Sequence, residues 1–344
     1  MRDTVGMTTQ FATQAARLGW YWGLSRLVAR QTSAAGMAST YKPVRPVPEF
    51  RELLADLGNL LVEDAMAVRD GRYPPMPEAS DSPAQHLARI RAMLADVPVA
   101  LSRRASEDTA SVKAAAVADM PEYYAQDFHF QTGGYLTPES ARLYDVQVET
   151  LFMGAAGPMR RRALGAIADA IHGRDQRTMS LLDVACGTGR FLRQVRLAYP
   201  RLALTGLDLS AAYLGEAEHG FADLKPASWL EANAEHIPLP DASQDIVSCI
   251  FLFHELPPDV RRTVAAEFAR VLKPGGRLVF MDSLQMGDKP GWDGLLEAFP
   301  VRFHEPYYRH YAVDDLHALF TGVGLAPVET ATPFMAKMLV RANT

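Results

Sequence analysis

Two acidic residues bracket a glycine turn in the middle of the chain. Residues 181–190 read LLDVACGTGR, so Asp183 lies inside an apolar run and Gly187 and Gly189 fall in a tight turn, where backbone N–H groups can approach a ligand at a helix start. Asp208 ends the next apolar run, where a carboxylate can accept both hydroxyls of a ribose diol. A dinucleotide site wants Gly or Ala three residues after the second glycine, because helix and pyrophosphate come close there; Leu192 holds that position. No GK[ST] follows to make a phosphate loop. What remains is a nucleoside site without a pyrophosphate.

A second group gathers where the run DIVSCIFLF delivers Phe253, His254 and Glu255 to the carboxyl edge of a strand, the edge at which open α/β sheets bind ligands. His254 is suited to general-base work at neutral pH; its structural reading is a backbone hydrogen bond at the strand end. Glu255 either orients the imidazole or caps the helix that follows. Further on, Phe303, His304, Glu305, Pro306, Tyr307, Tyr308, His310 and Tyr311 read as one wall of an acceptor site or as a lid of stacked aromatics, with His304 as the runner-up base. Tyr308 stands where a zinc-protease motif would need its second histidine, and Cys186 and Cys249 lack metal-ligand spacing, so no metal and no disulfide is expected. The aromatic, glycine-bearing stretch 123–137, with Tyr135, reads as an ordered loop over the same edge.

The elements that must position these groups follow from periodicity. Short apolar runs over 179–184, 203–207, 228–230, 245–252, 277–281, 326–330 and 334–341 alternate with helical patterns over 190–199, 211–219, 258–272 and 314–322, the pattern of a parallel sheet with crossover helices. The short turn at Thr332–Pro333 predicts an antiparallel last strand. Upstream, helices are expected over 11–28, 49–70, 83–95, 106–120, 138–154 and 158–173, and no strand is visible. Two units result: a helical region over 1–150 and an α/β domain over 151–344.

Composition narrows the partners. The 344 residues carry 35 Lys plus Arg against 40 Asp plus Glu, so no overall positive field draws nucleic acid. No 18-residue apolar run spans a membrane, and the two cysteines fit a reducing cytoplasm. Residues 1–48 hold six basic residues and Asp3 alone as acid, with Trp20, Tyr21 and Trp22 as interfacial aromatics. Residues 8–30 are therefore a candidate for peripheral membrane contact; packing on the rest of the chain, or on a second subunit in a homodimer, is the alternative.

LLDVACGTGR (181–190), LTGLDLS (204–210), EANAEHIPLPDASQDIVSCIFLFHEL (231–256) and LKPGGRLVF (272–280) resemble, in order, the motifs of the class I S-adenosylmethionine-dependent methyltransferases, within the small-molecule group that includes the ubiquinone and menaquinone biosynthesis type. The resemblance implies a seven-stranded Rossmann-like sheet with an N-terminal helical cap. It implies that Gly187 and Gly189 line the methionine part, Asp183 orders its amino end, Asp208 holds the ribose and Asn233 with Ala234 meets the adenine; Ala185, Leu209 and Phe251 complete the cofactor set. Asn233 departs from the aspartate of many relatives. The implied activity is methyl transfer from S-adenosylmethionine, leaving S-adenosylhomocysteine, to a small hydrophobic or aromatic acceptor held by Tyr135, Phe253, His254, Tyr307, Tyr308 and Tyr311. O-methylation is the first expectation; C- or S-methylation, or a cofactor-binding protein without catalysis, are the alternatives.

Overall fold

A computed structural model describes residues 3–36, 41–78, 81–106, 112, 120–126, 128 and 132–344. Seven strands form one sheet in the order β3-β2-β1-β4-β5-β7-β6. They are β1 Ser180–Val184, β2 Ala203–Asp208, β3 Ser228–Glu231, β4 Gln244–Ile250, β5 Leu272–Ser283, β6 Leu325–Ala331 and β7 Ala336–Asn343. Strands β1 to β5 pair in parallel, and β7 runs antiparallel between β5 and β6. The central strands β1 and β4 are buried almost throughout, as continuous apolar runs require when helices cover both faces.

The sequence expectation for this half holds, with boundary differences that have physical causes. β5 begins at Leu272 rather than Arg277, because Leu272 already pairs with Gln244 across an irregularity in the register. Between β5 and β6 the chain folds into α9 Asp293–Arg302 and α10 Tyr308–Tyr311, so the aromatic insertion is a turn over 303–307 followed by a short helix. Helices α6 Arg190–Ala198, α7 Ala211–Gly220, α8 Pro258–Val271 and α11 Leu316–Gly322 make the remaining crossovers.

Upstream lie α1 Thr4–Ala34, α2 Phe50–Arg69, α3 Pro83–Ser106, α4 Pro138–Leu151 and α5 Ala156–Ile171. The helix α1 is longer than its apolar pattern suggested because Asp3 caps it, accepting from the Gly6 N–H at 2.7 Å. α3 likewise runs on past Ala95, through Pro98. The helix expected over 106–120 falls outside the described residues, apart from its two ends and Val112.

The helical region shares the core of the sheet: Leu57, Leu60, Val68 and Tyr73 belong to the same buried cluster as Leu181, Val247 and Phe280. A buried ionic knot reinforces the join. Arg161 on α5, with no solvent exposure, donates to both Asp64 oxygens (2.6 and 2.9 Å) and to Glu78, and Gln10 of α1 donates to Asp64 at 2.8 Å. Removing one partner of such a buried set leaves an uncompensated charge, a loss of about 3–5 kcal/mol. No described helix is long and apolar enough to cross a membrane.

Candidate active site

The chain reverses direction between β1 and α6 through Ala185, Gly187 and Gly189, with φ of 56°, 54° and 71°. The two glycines serve different ends. A Cβ on Gly187 would meet only the Tyr213 ring, at 4.0 Å, whereas one on Gly189 would lie 2.9 Å from the Ala217 Cβ, so Gly189 lets α6 pack against α7. The turn is also tied to the helical region. Thr188 Oγ1 and Arg190 Nε donate to the two oxygens of Asp145 on α4, at 2.8 and 2.6 Å.

Beyond the carboxyl ends of β1, β2 and β4 lies a cavity of about 810 Å³ of empty space, partly open to solvent. Of the expected cofactor set, Ala185, Gly187, Asp208, Leu209, Asn233, Ala234 and Phe251 line it, and Tyr135 and Glu255 line it from the acceptor set. The helical region contributes Tyr123, Tyr124, Phe128 and Tyr144, and α7 contributes Tyr213. Tyr135 stacks on Phe128 at 5.5 Å and meets Tyr144 and Tyr213 edge-on at 5.9 and 5.6 Å. Among the described residues the cavity's charged side chains are Asp208 and Glu255, and no lysine or arginine lines it.

Asp208 has each oxygen fixed by one backbone donor: Gly187 N–H reaches Oδ2 at 2.8 Å and Ser210 N–H reaches Oδ1 at 2.9 Å. A carboxylate offers about four acceptor positions, so two remain for a ligand. Burial raises its pKa, and the backbone donors oppose the rise. Asp183 lies just behind the lining. It pairs in register with Ser248 of β4, whose hydroxyl donates to it at 2.7 Å, and burial raises its pKa to about 7. Asn233 is engaged in its own turn, accepting from Glu235 N–H at 2.9 Å, while the Tyr123 hydroxyl donates to Glu235 at 2.6 Å.

At the end of β4 a 3₁₀ turn, Phe253–Glu255, separates three neighbouring residues that sequence alone had grouped. Phe253 is fully buried and packs on Phe268, Phe280 and Phe320, so it is a core residue rather than part of the acceptor wall. His254 turns away from the cavity lining, and its Nδ1–H donates to Asp282 Oδ1 at 2.6 Å. Asp282 itself is fully buried at the end of β5 and also accepts the backbone N–H groups of Leu252, Phe253 and Ser283. Burial by itself would lower the His254 pKa; the Asp282 charge and hydrogen bond, with Glu255 and Glu305, outweigh it and push the value up to about 10. The raised pKa favours the imidazolium form of His254, which weighs against its expected role as base.

Of these three neighbours, Glu255 is the one that lines the cavity. Its Oε1 accepts from the Tyr135 hydroxyl at 2.6 Å and stands 3.7 Å from His254 Nε2. Burial raises its pKa, opposed by the His254 charge and the Tyr135 bond, and the result is about 7. Glu305 comes close to both, and burial holds its carboxyl well above the usual range. His254, Glu255 and Glu305 each offer an atom within 4.8 Å of the others, and the second ring nitrogen of His254 is bonded to Asp282.

The remaining expected acceptor residues lie elsewhere. Tyr308 and Tyr311 are buried against the His254 ring, each with its centroid 6.1 Å away, and their hydroxyls bond Ser283. They hold the imidazole and do not line the cavity. Tyr307 and His304 are half-buried and also stand outside the lining. The residues that sequence reading missed fall into two kinds. Asp282 was legible, as a lone acid ending the apolar strand RLVFMDS. Tyr144 and Tyr213 sit within helices and carry no local signal.

Residues 181–276 match a family model described as a methyltransferase domain. The chain is 33% identical over 165 residues to a ubiquinone/menaquinone biosynthesis C-methyltransferase of Methylobacterium nodulans, covering 47% of this chain and 63% of that protein. It is 30% identical over 178 residues to a demethylmenaquinone methyltransferase of Thermotoga maritima, covering 52% of this chain and 72% of the relative. The chain thus spans less than two thirds of the first relative and somewhat more of the second. A crystal structure of an S-adenosylmethionine-dependent methyltransferase from Aquifex aeolicus aligns with a TM-score of 0.41 at 19% identity, over 53% of this chain and 89% of that one. With motifs, sheet order and glycine turn in agreement, the chain belongs to the class I S-adenosylmethionine-dependent methyltransferases, the family that includes the ubiquinone and menaquinone biosynthesis type.

Proposed function

We propose that this protein transfers a methyl group from S-adenosylmethionine to the hydroxyl of a small, hydrophobic, aromatic acceptor, with Glu255 removing the proton. The residues present suit the cofactor. Asp208 keeps acceptor positions for the ribose diol, Gly187 leaves its side of the turn open, and Asn233 with Ala234 stands where the adenine would lie. The cavity's charged side chains are acids and its walls are aromatic, which favours a sulfonium cation and disfavours a pyrophosphate. When bound, S-adenosylmethionine supplies a methyl carbon already activated toward in-line displacement.

One observation carries the reading: a carboxyl with a pKa of about 7 lies on the cavity wall at the end of β4, aligned by the Tyr135 hydroxyl. As the acceptor O–H bond breaks, its proton passes to Glu255; the oxygen lone pair forms the new bond to carbon, and the departing pair stays on sulfur. His254 remains protonated and steadies the carboxylate, while Tyr135, Tyr144 and Phe128 exclude water. The Methylobacterium nodulans relative is named as a C-methyltransferase, so C-methylation of a ring activated by the same deprotonation is the second reading.

The test is turnover with methyl-labelled S-adenosylmethionine over a panel of phenols and quinols, with the methylated atom assigned by NMR. An O-methyl product confirms the first reading and a ring C-methyl product the second. Tight cofactor binding without turnover of any acceptor would reject both.

A further inference from the structure

The first helix buries Tyr21 and Leu24 in an apolar cluster with Ile90 and Met93, and two amides beside them. Among its buried positions are Gln10 and Gln14, at 2% and 1% exposure, which donate to Asp64 and Glu78 at 2.8 and 2.9 Å. Its exposed positions carry the large apolar side chains: Phe11, Trp20, Trp22 and Leu27 are 42%, 54%, 41% and 43% exposed. A surface helix of a water-soluble fold normally shows the reverse arrangement, with polar residues outward. The solvent side of α1 is therefore a second apolar face, and five of the seven other exposed positions between Phe11 and Leu27 are alanine or glycine.

Charge says what that face suits. From Thr4 to Ala34 the helix holds Arg17, Arg26 and Arg30 and not one Asp or Glu, although the whole chain is at −5. Arg17 turns inward to Glu149, at 3.4 Å, whereas Arg26 and Arg30 are exposed beside the tryptophans, and the Arg26 guanidinium lies 5.1 Å from the Trp22 ring centroid. Exposed tryptophans with flanking arginines and no acid match the headgroup layer of an anionic bilayer, where indole rings sit at the interface and arginine meets phosphate. The helix is too polar to cross a membrane, so it would lie along the surface.

We infer that α1 docks this protein on anionic phospholipid surfaces through Phe11, Trp20, Trp22 and Leu27, with Arg26 and Arg30 engaging the headgroups. This surface is independent of the cavity residues, and its test does not depend on the acceptor.

The experiment is flotation of the full chain with phosphatidylcholine vesicles, with and without about one-quarter phosphatidylglycerol, at low and high salt. The protein should float with the anionic vesicles and be released by salt. W20S/W22S and R26E/R30E should each lower the partition coefficient roughly tenfold or more, since these are exposed side chains whose loss spares the fold. Brominated lipids should quench the wild type, and W20F/W22F, which retains Trp229 and Trp292, should escape quenching. Absence of binding to anionic vesicles, or equal partition of wild type and both variants, overturns the inference. So does a solution dimer that W20S/W22S dissociates, because the face would then belong to a second copy.

Discussion

His254 Nδ1 lies 2.6 Å from Asp282 Oδ1, and this one bond joins the carboxyl ends of the paired strands β4 and β5. Asp282 is held by three backbone donors and has no solvent exposure, so its carboxyl is fixed in position opposite the imidazole. That contact raises the His254 pKa, and the neighbouring Glu255 carboxyl is raised to about 7.

The pH dependence follows. Burial raises the Glu255 pKa, so its proton is held more tightly than an exposed glutamate's and the basic form appears only as pH climbs through about 7. Turnover should therefore rise through about pH 7. E255Q should lose that limb and about a hundredfold or more in rate, with cofactor affinity nearly unchanged. A normal pH profile in E255Q would remove Glu255 as base.

D282N tests the relation between the two strands. Without that carboxylate His254 loses its proton at lower pH; losing the imidazolium charge, the larger influence on Glu255, outweighs losing the direct Asp282 repulsion. The ascending limb should move to higher pH in D282N. Y135F should move it the same way, because the hydroxyl that stabilises the carboxylate is gone.

Cofactor binding rests on Asp208. D208A removes the acceptor for a ribose diol and also strands the N–H groups of Gly187 and Ser210. Calorimetry should show S-adenosylhomocysteine bound weaker by about 1.5 kcal/mol or more, roughly tenfold. NAD should show no binding to the wild type.

Phe253 separates a core residue from an acceptor contact. F253A should cost about 3–5 kcal/mol of stability in denaturant melts, since its ring fills a site between Phe268, Phe280 and Phe320. Under conditions where the variant is folded its KM for acceptor should be close to wild type.

Metal removal gives a further check. Exhaustive chelation should leave turnover unchanged, because transfer of an already activated methyl group to an acceptor deprotonated by Glu255 needs no Lewis acid. Loss of activity restored by added magnesium would assign His254, Glu255 and Glu305 to a cation site.

The sequence by itself determined the sheet, the glycine turn and the carboxylate of Asp208 that lines the cavity. Strand and helix periods are local, and the turn at Ala185, Gly187 and Gly189 writes its backbone demand into residue type. The same locality put Asp183 and Asp208 at strand ends, because a lone acid in an apolar run is visible without knowing its neighbours. Tertiary structure alone decided the acceptor side. Phe253, His254 and Glu255 are adjacent in the chain, yet a 3₁₀ turn sends one into the core, one to Asp282 and one to the cavity. Which of the three meets a ligand depends on residues 28 and 120 positions away, Asp282 and Tyr135, and no local pattern encodes those distances. The inward glutamines and outward tryptophans of α1 were likewise undecidable from composition: the buried partners Asp64 and Glu78, far along the chain, draw Gln10 and Gln14 in, and of the three aromatics expected at an interface Tyr21 is buried while Trp20 and Trp22 stay outside.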